Sequence, residues 1–130
     1  MAKVLVVDDE LGYRVSLEFF LAQAGHEVAV VATTAAAIAR AQDFQPEILV
    51  VDWLLGDKQT GADLIRELRV QLPDIRVIVM SGLGPQMVRH QTEDLRIFRM
   101  VEKPFEPGAI LDAVREAGAG LDSAHGSVGS

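Results

Sequence analysis

The sequence alternates five short, mostly apolar runs with segments of helical periodicity, and this alternation limits the fold more than any other feature. The runs occupy residues 4–7, 26–31, 48–51, 77–80 and 97–101. Strands that are covered by helices on both faces read as near-continuous apolar runs. Strands that alternate with helical segments favour parallel βαβ units. We therefore predict an α/β fold, with a doubly wound, five-stranded parallel sheet and helices on both of its faces.

The segments between and after the runs predict five helices of unequal strength. The first is typical of the clear ones, because Leu17, Leu21 and Ala24 recur at helical spacing and Gly25 ends the pattern. The fourth segment, over residues 83–95, is largely polar and opens with a Gly-Pro pair. We expect the fourth helix to be short or mobile.

The length of 130 residues predicts one domain with one sizeable core. Residues 118–130 are rich in glycine, serine and alanine and offer almost nothing to bury. We therefore predict a folded domain over residues 1–117, followed at 118–130 by a flexible tail or the start of a linker.

Composition excludes several classes of function. Cysteine is absent, which rules out disulfides and thiolate chemistry and is consistent with the cytoplasm. The net charge of −7 argues against nucleic-acid binding by this domain, since phosphate contacts need clustered lysine and arginine. No apolar run approaches the roughly 20 residues that span a bilayer. We expect a cytoplasmic domain that contacts neither membrane nor nucleic acid directly.

Polar side chains follow four of the five predicted strands. Asp8 and Asp9 follow the first strand, Asp52 the third, Ser81 the fourth and Lys103 the fifth. A polar residue after one strand usually only begins a loop, but four strands with this feature indicate a site. In doubly wound sheets the ligand lies beyond the carboxyl ends of the strands, at the switch point of the topology.

This set of side chains has the chemistry of phosphoryl transfer. Three carboxylates in one place repel one another unless a cation compensates them, and oxygen-only ligands favour Mg²⁺. Lys103 adds a point charge and Ser81 a hydroxyl, both suited to phosphoryl oxygens. A central carboxylate can act as the nucleophile and form an acyl phosphate. Asp52 is the central candidate, because the third strand is the middle of such a sheet.

The chain resembles the CheY-like receiver domain of two-component response regulators over about residues 3–117. The matching segments are Val-Val-Asp-Asp-Glu at 6–10, Val-Val-Asp at 50–52, the segment 60–69, Val-Met-Ser-Gly at 79–82 and Glu-Lys-Pro-Phe at 102–105. The resemblance implies a flavodoxin-like sheet with strand order 2-1-3-4-5.

The resemblance also implies a role for each residue at the metal. Asp52 corresponds to the phosphoacceptor and to a metal ligand. Asp9 corresponds to a direct Mg²⁺ ligand and Asp8 to one that acts through water. The backbone carbonyl of Leu54 would complete the protein's share of the coordination.

Two further residues correspond to groups that contact the phosphoryl oxygens. Ser81 would bond one oxygen and move toward it on phosphorylation, and Lys103 would pair with another. In the family the bond from this lysine to the following proline, here Pro104, is commonly cis, which X–Pro bonds tolerate.

Three positions depart from the family pattern. Met100 stands where an aromatic switch residue is usual, and the strand period of two predicts Phe98 on the same face. Met100 is either core filler or a thioether that takes the switch role. In the family the positions of Leu54 and Leu83 flank the path of the hydrolytic water, which leucine cannot orient by hydrogen bonding. We therefore predict slow loss of phosphate.

Three functions compete at this point. The leading hypothesis is a signalling module that accepts phosphate on Asp52 from a histidine kinase or phosphotransfer protein. It is not an enzyme in the turnover sense, although it catalyses its own Mg²⁺-dependent phosphorylation and dephosphorylation. An output domain or protein target and a phosphorylation-dependent homodimer are partners that only the family resemblance suggests. The alternative is a degenerate receiver that binds proteins independently of phosphorylation. A Mg²⁺-dependent phosphatase is disfavoured, because such enzymes usually carry a second Asp where this chain has Leu54.

Overall fold

The computed structural model describes residues 1–55, 60–83 and 95–129, with side chains as far as Ala119. Its strands are β1 (Lys3–Val7), β2 (Glu27–Val31), β3 (Ile48–Asp52), β4 (Arg76–Ser81) and β5 (Arg99–Glu102). Its helices are α1 (Leu11–Gln23), α2 (Thr34–Phe44), α3 (Gly61–Gln71) and, after β5, α4 (Pro107–Gly129). Of the predicted fourth helical segment, residues 84–94 lie outside the described part of the chain.

All five strands are parallel and lie in the order β2-β1-β3-β4-β5, which confirms the predicted sheet. The order reverses between β1 and β3, which pair directly, with Val6 opposite Val50. Asp52 lies opposite Met80 in the next pair, and Ser81 lies opposite Glu102 in the last. The register therefore brings the carboxyl ends of the central strands to one edge, at the topological switch point.

The sheet separates two apolar cores. Leu49 and Val51 of the central strand face the core that holds α2 and α3. Ile48 and Val50 face the opposite core, which holds α1 and α4. All four side chains are fully buried. Burial of such a side chain contributes roughly 1.5–3 kcal/mol, so this strand is anchored from both sides, and it carries Asp52 at its end.

Short polar caps begin two of the helices. The Thr33 hydroxyl accepts a bond of 3.1 Å from the amide of Ala36 and so caps the start of α2. Thr60 and Asp63 form a reciprocal capping box at the start of α3. Gly61, the first residue of α3, lies so close to β3 that a Cβ there would stand 2.9 Å from the Asp52 carbonyl oxygen. The close approach holds α3 against the end of β3.

The backbone of α4 continues as a helix to Gly129. The domain boundary at 117 and the flexible tail or linker start at 118–130 remain predictions.

One expectation differs from the structure. Phe98 packs with the α1–α4 core while Met100 packs with the α2–α3 core, so they do not share a face. β5 begins only at Arg99, and strand alternation does not extend back to Phe98.

Candidate functional site

The carboxyl edge of the sheet brings Lys103 against two buried carboxylates. Asp8 directly follows β1 and is fully buried, while Asp52 ends β3 and is 6% exposed. The Lys103 ammonium donates to Asp8 Oδ2 at 2.9 Å and to Asp52 Oδ2 at 3.1 Å. Three strands distant in sequence thus supply the two anions and the cation of one ion-pair cluster.

Two side chains from the start of α1 complete the surroundings of Lys103. The Glu10 carboxylate accepts from the ammonium at 3.4 Å. The centre of the Tyr13 ring lies 4.1 Å from the same nitrogen, within the distance of a cation–π contact. The ammonium is therefore held between carboxylates and an aromatic ring.

Backbone groups hold the remaining oxygens of the two buried carboxylates. The Glu10 amide donates to Asp8 Oδ1 at 2.9 Å, and the Leu54 amide donates to Asp52 Oδ1 at 3.4 Å. The Arg14 guanidinium donates to the backbone carbonyl of Asp8 at 2.8 Å. These bonds fix the turn after β1 and tie it to the first turns of α1.

The pKa values of Asp52 and Lys103 are both raised, but for different reasons. Burial raises the pKa of Asp52, Lys103 opposes this and Asp8 adds to it, so that its pKa lies at about 6. Burial alone would lower the pKa of Lys103. The bonds and charges of Asp8 and Asp52 outweigh burial, so its pKa lies above the ordinary value. One lysine thus only partly compensates the acidic groups, and the site favours a further cation.

Four carboxylates at this edge have the donor chemistry of a hard divalent cation site. Asp8, Asp9, Glu10 and Asp52 each offer an oxygen, and these oxygens lie within 4.8 Å of one another. An oxygen-only donor set suits Mg²⁺ better than zinc. Asp9 is exposed, so the cluster is open to solvent on its side. The residues fit the predicted metal, and Glu10 joins the predicted ligands Asp8, Asp9 and Asp52.

The structure does not bring Ser81 into contact with the ion pairs. Its side chain is buried, and the hydroxyl accepts from the Leu83 amide at 3.0 Å and donates to the Leu83 carbonyl at 3.4 Å. Leu83 is itself half-buried and packs against the α2–α3 core. The Leu54 side chain is 55% exposed beside Asp52. The serine thus lies at the expected edge with its hydroxyl bonded to its own loop.

Two positions near β5 bear on the resemblance. Met100 is half-buried against the α2–α3 core, in the place of the usual aromatic residue. The bond between Lys103 and Pro104 is cis, as the family resemblance implied.

Sequence reasoning missed the contacts that α1 makes with this edge. It assigned no role to Tyr13 or Arg14. The useful signal was position: these residues lie in the first turns of the helix that follows Asp8 and Asp9. Helix starts in a doubly wound sheet return to the same edge at which the strands end.

The fold and the site together place the chain in a class of proteins. These are doubly wound α/β domains whose functional site, here carboxylates and a lysine, lies at the strand ends beside the switch point. Within that class, the chain belongs to the response regulator receiver domain family, whose model matches residues 4–115. The resemblance stated from the sequence is therefore confirmed, and the chain is a receiver domain of two-component signalling.

Individual relatives cover this chain to different extents. The chemotaxis protein CheY of Thermotoga maritima is 29% identical over 115 residues, which are 88% of this chain and 95% of that protein. The transcriptional regulatory protein FixJ of Rhizobium meliloti is 32% identical over 96% of this chain, which spans 61% of FixJ. The transcriptional regulator NtrC of Azospirillum brasilense is 29% identical, and the match covers only 24% of its length.

A solved structure agrees with the fold. CheY4 of Vibrio cholerae superposes with a TM-score of 0.82 at 24% identity, over 90% of this chain and 98% of that one. At this identity the likeness bears on the fold alone. Within the described residues, no helix is both long and apolar enough to cross a membrane.

Proposed function

We propose that this receiver domain is switched by phosphorylation of Asp52. The observation that carries the proposal is the bridge from Lys103 to both Asp8 and Asp52, at 2.9 and 3.1 Å. Lys103, which follows β5 and is far from both carboxylates in sequence, holds a positive charge beside the proposed nucleophile. The same charge serves an incoming phosphoryl oxygen.

The proposed step is a phosphoryl transfer from a phosphohistidine of a histidine kinase or phosphotransfer protein. An Asp52 oxygen forms a bond to phosphorus while the P–N bond breaks, and the imidazole leaves with the electron pair. The product is an acyl phosphate on Asp52. Lys103 then pairs with a phosphoryl oxygen. The catalysis is confined to the domain's own phosphorylation and dephosphorylation, so it is a signalling protein and not a turnover enzyme.

We propose Mg²⁺ as the cation that the acidic cluster holds, with Asp8, Asp9, Asp52 and the Leu54 carbonyl as the protein's ligands. When bound, it supplies positive charge that offsets the carboxylates and the phosphoryl oxygens. The four clustered carboxylates support this assignment. Glu10 stands at the edge of the same cluster.

Signalling requires that phosphorylation alter a surface. We propose that Ser81 exchanges its two bonds to Leu83 for a phosphoryl oxygen, which releases the loop after β4. Met100 would occupy the switch position on β5. The altered surface would meet an output domain or protein target, or a second receiver in a phosphorylation-dependent homodimer. The cytoplasm is the proposed location.

One observation favours a second candidate, a receiver that binds proteins independently of phosphorylation. Met100 packs into the α2–α3 core where the family usually places a switchable aromatic ring. A thioether in the core can serve as filler only. The ion-pair cluster at Asp52 favours the phosphorylated receiver.

The deciding experiment measures intact mass after incubation with a small-molecule phosphodonor and Mg²⁺. We expect one adduct of about 80 Da on the wild type and none on Asp52→Asn. Asp43→Asn is the matched control, because Asp43 is exposed on α2 and should leave the adduct unchanged. Magnesium binding without any adduct on the wild type would instead support the phosphorylation-independent module.

A further inference from the structure

Tyr13 makes an unusual contact for a residue on the first turns of a surface helix. Its ring centre lies 4.1 Å from the Lys103 ammonium, and the Phe105 ring lies at a centroid distance of 5.2 Å and an angle of 43°. Lys103 and Phe105 flank Pro104, so the segment after β5 meets the ring twice. Tyr13 is therefore tied to the functional lysine and to the segment that carries it.

Core packing does not account for this position. Tyr13 is half-buried, and among the described residues it belongs to neither apolar core. It borders a cavity of about 300 Å³ between the starts of α1 and α4. The cavity is lined by Glu10, Gly12, Tyr13, Ser16, Phe105 and Pro107. The ring thus forms one wall of this opening and also contacts the Lys103 ammonium.

An aromatic ring beside the Lys103 ammonium can restrict its position, which matters because the lysine side chain is flexible. The ammonium is a compact charge on four rotatable carbons and has three donors. Its side chain is only 9% exposed, and the carboxylates of Asp8, Asp52 and Glu10 all attract it. An aromatic face attracts the cation without neutralising it or competing for a phosphoryl oxygen. The ring restricts where the ammonium can go without competing for its bonds to the carboxylates.

We propose that Tyr13 is a positioning residue that holds the Lys103 ammonium over the Asp8–Asp52 pair through the face of its ring. The effect on phosphoryl transfer rests on the proposed function of Asp52, whereas the contact itself exists without phosphate. The Phe105 ring also packs against the Tyr13 ring. The aromatic face does the positioning, so phenylalanine serves at this place and an aliphatic side chain does not.

The test compares the full chain with Tyr13→Phe, Tyr13→Leu and a control, Phe19→Leu. Phe19 is also aromatic and on α1, is 56% exposed and has Phe20 as its ring neighbour. The initial rate of adduct formation with a small-molecule phosphodonor and Mg²⁺ is measured by mass. We expect Tyr13→Leu to be about three- to tenfold slower, from the usual strength of a cation–π contact. Tyr13→Phe and Phe19→Leu should retain the wild-type rate.

A second readout needs neither phosphate nor metal. The chain has only three lysines, so ¹³C-lysine labelling resolves each ε-methylene, and Lys103→Gln assigns the one of interest. We expect ring-current shielding of the Lys103 ε-protons in wild type and Tyr13→Phe, and its loss in Tyr13→Leu. Thermal unfolding of each variant confirms that the fold is retained.

The outcomes separate this inference from the proposed function. If the wild type takes up no phosphate, the proposed function fails, and the lysine spectrum alone decides whether Tyr13 holds the ammonium. Unshifted Lys103 ε-protons in the wild type would overturn the contact. With an active wild type, an unchanged rate in Tyr13→Leu would overturn the positioning role. A Tyr13→Phe variant as slow as Tyr13→Leu would also overturn it, because the hydroxyl would then be the acting group.

Discussion

The two halves of the functional edge differ in how far they are assembled before any phosphate arrives. At the ends of β1 and β3, Asp8 and Asp52 are buried and already paired with Lys103. At the end of β4, the Ser81 hydroxyl is bonded to Leu83, and Met100 on β5 packs into a core. The charged half is built in advance, whereas the half proposed to report phosphorylation is engaged elsewhere.

Electrostatics explains this difference. Buried carboxylates without partners cost several kcal/mol, so Asp8 and Asp52 require a cation even in the resting protein. A neutral hydroxyl can satisfy its bonds with the nearest backbone groups, as Ser81 does with Leu83. Only the charged half is therefore forced into its working arrangement by folding alone.

Removal of Lys103 should break the charged half and produce the largest effect. In Lys103→Met, we expect the free energy of unfolding at pH 7 to fall by about 3 kcal/mol, because two buried carboxylates lose their cation. Chemical denaturation measures the change. Lys3→Met is the control and should cost less than about 1 kcal/mol, since the Lys3 ammonium stands over the Phe44 ring and away from the acidic cluster.

The stability of Lys103→Met with added Mg²⁺ tests the same prediction further. A cation that binds only the folded protein stabilises it. We therefore expect excess Mg²⁺ to recover part of the stability lost in Lys103→Met. Wild-type stability in the variant without added metal would mean that the Lys103 bridge does not hold the charged half together.

Asp52→Asn tests the same half from the side of the carboxylate. Burial raises the pKa of Asp52 to about 6 from its usual 3.8. Between these values the unfolded chain has lost the proton that the folded protein keeps. Stability therefore falls as pH rises through this interval, and the cost is complete above it. We expect Asn to stabilise the fold by about 1–2 kcal/mol at pH 8, less than the shift alone implies because water screens the open edge.

The gain should shrink at pH 5, which lies inside this interval, because only part of the cost is present there. Chemical denaturation of both proteins at the two pH values measures the difference. Glu67→Gln on α3 replaces an exposed carboxylate and should show no comparable pH dependence. Equal stabilisation by Asn at both pH values would contradict the raised pKa.

Ser81→Ala tests the other half of the edge. The variant loses two bonds to the Leu83 backbone, so we expect the unfolding free energy of the resting protein to drop by about 1 kcal/mol. This is well below the cost of Lys103→Met, because no charge is left unpaired. Chemical denaturation measures both variants under one condition. A loss as large as that of Lys103→Met would show that the two halves are equally committed in the resting state.

The sequence predicted the charged half well, and the physical reason is topological. Parallel strands end at one edge, so Asp8, Asp52 and Lys103 could be placed together from the run boundaries alone. The hydrogen bonds of Ser81 could not be predicted, because a hydroxyl can rotate to bond with any of several nearby groups. The prediction that Phe98 shares a face with Met100 was wrong, because side chains alternate only within the strand and β5 begins after Phe98. The contact of Tyr13 with Lys103 depends on how α1 packs, which apolar spacing does not specify.

Leu54 belongs neither to the charged half of the edge nor to the half with Ser81 and Met100. Its replacement should have the smallest effect of these substitutions. Its amide bonds Asp52 at 3.4 Å while its side chain is 55% exposed, so Leu54→Asn changes the side chain without disturbing the fold. An amide group can orient a water toward the acyl phosphate, which leucine cannot do. We expect dephosphorylation to become about threefold faster, within the usual range for one hydrogen bond. Decay of the mass adduct measures the rate. Val70→Asn, 83% exposed on α3, is the control. Equal decay in all three proteins would mean that Leu54 does not limit the access or orientation of water, and the prediction of slow phosphate loss would fail.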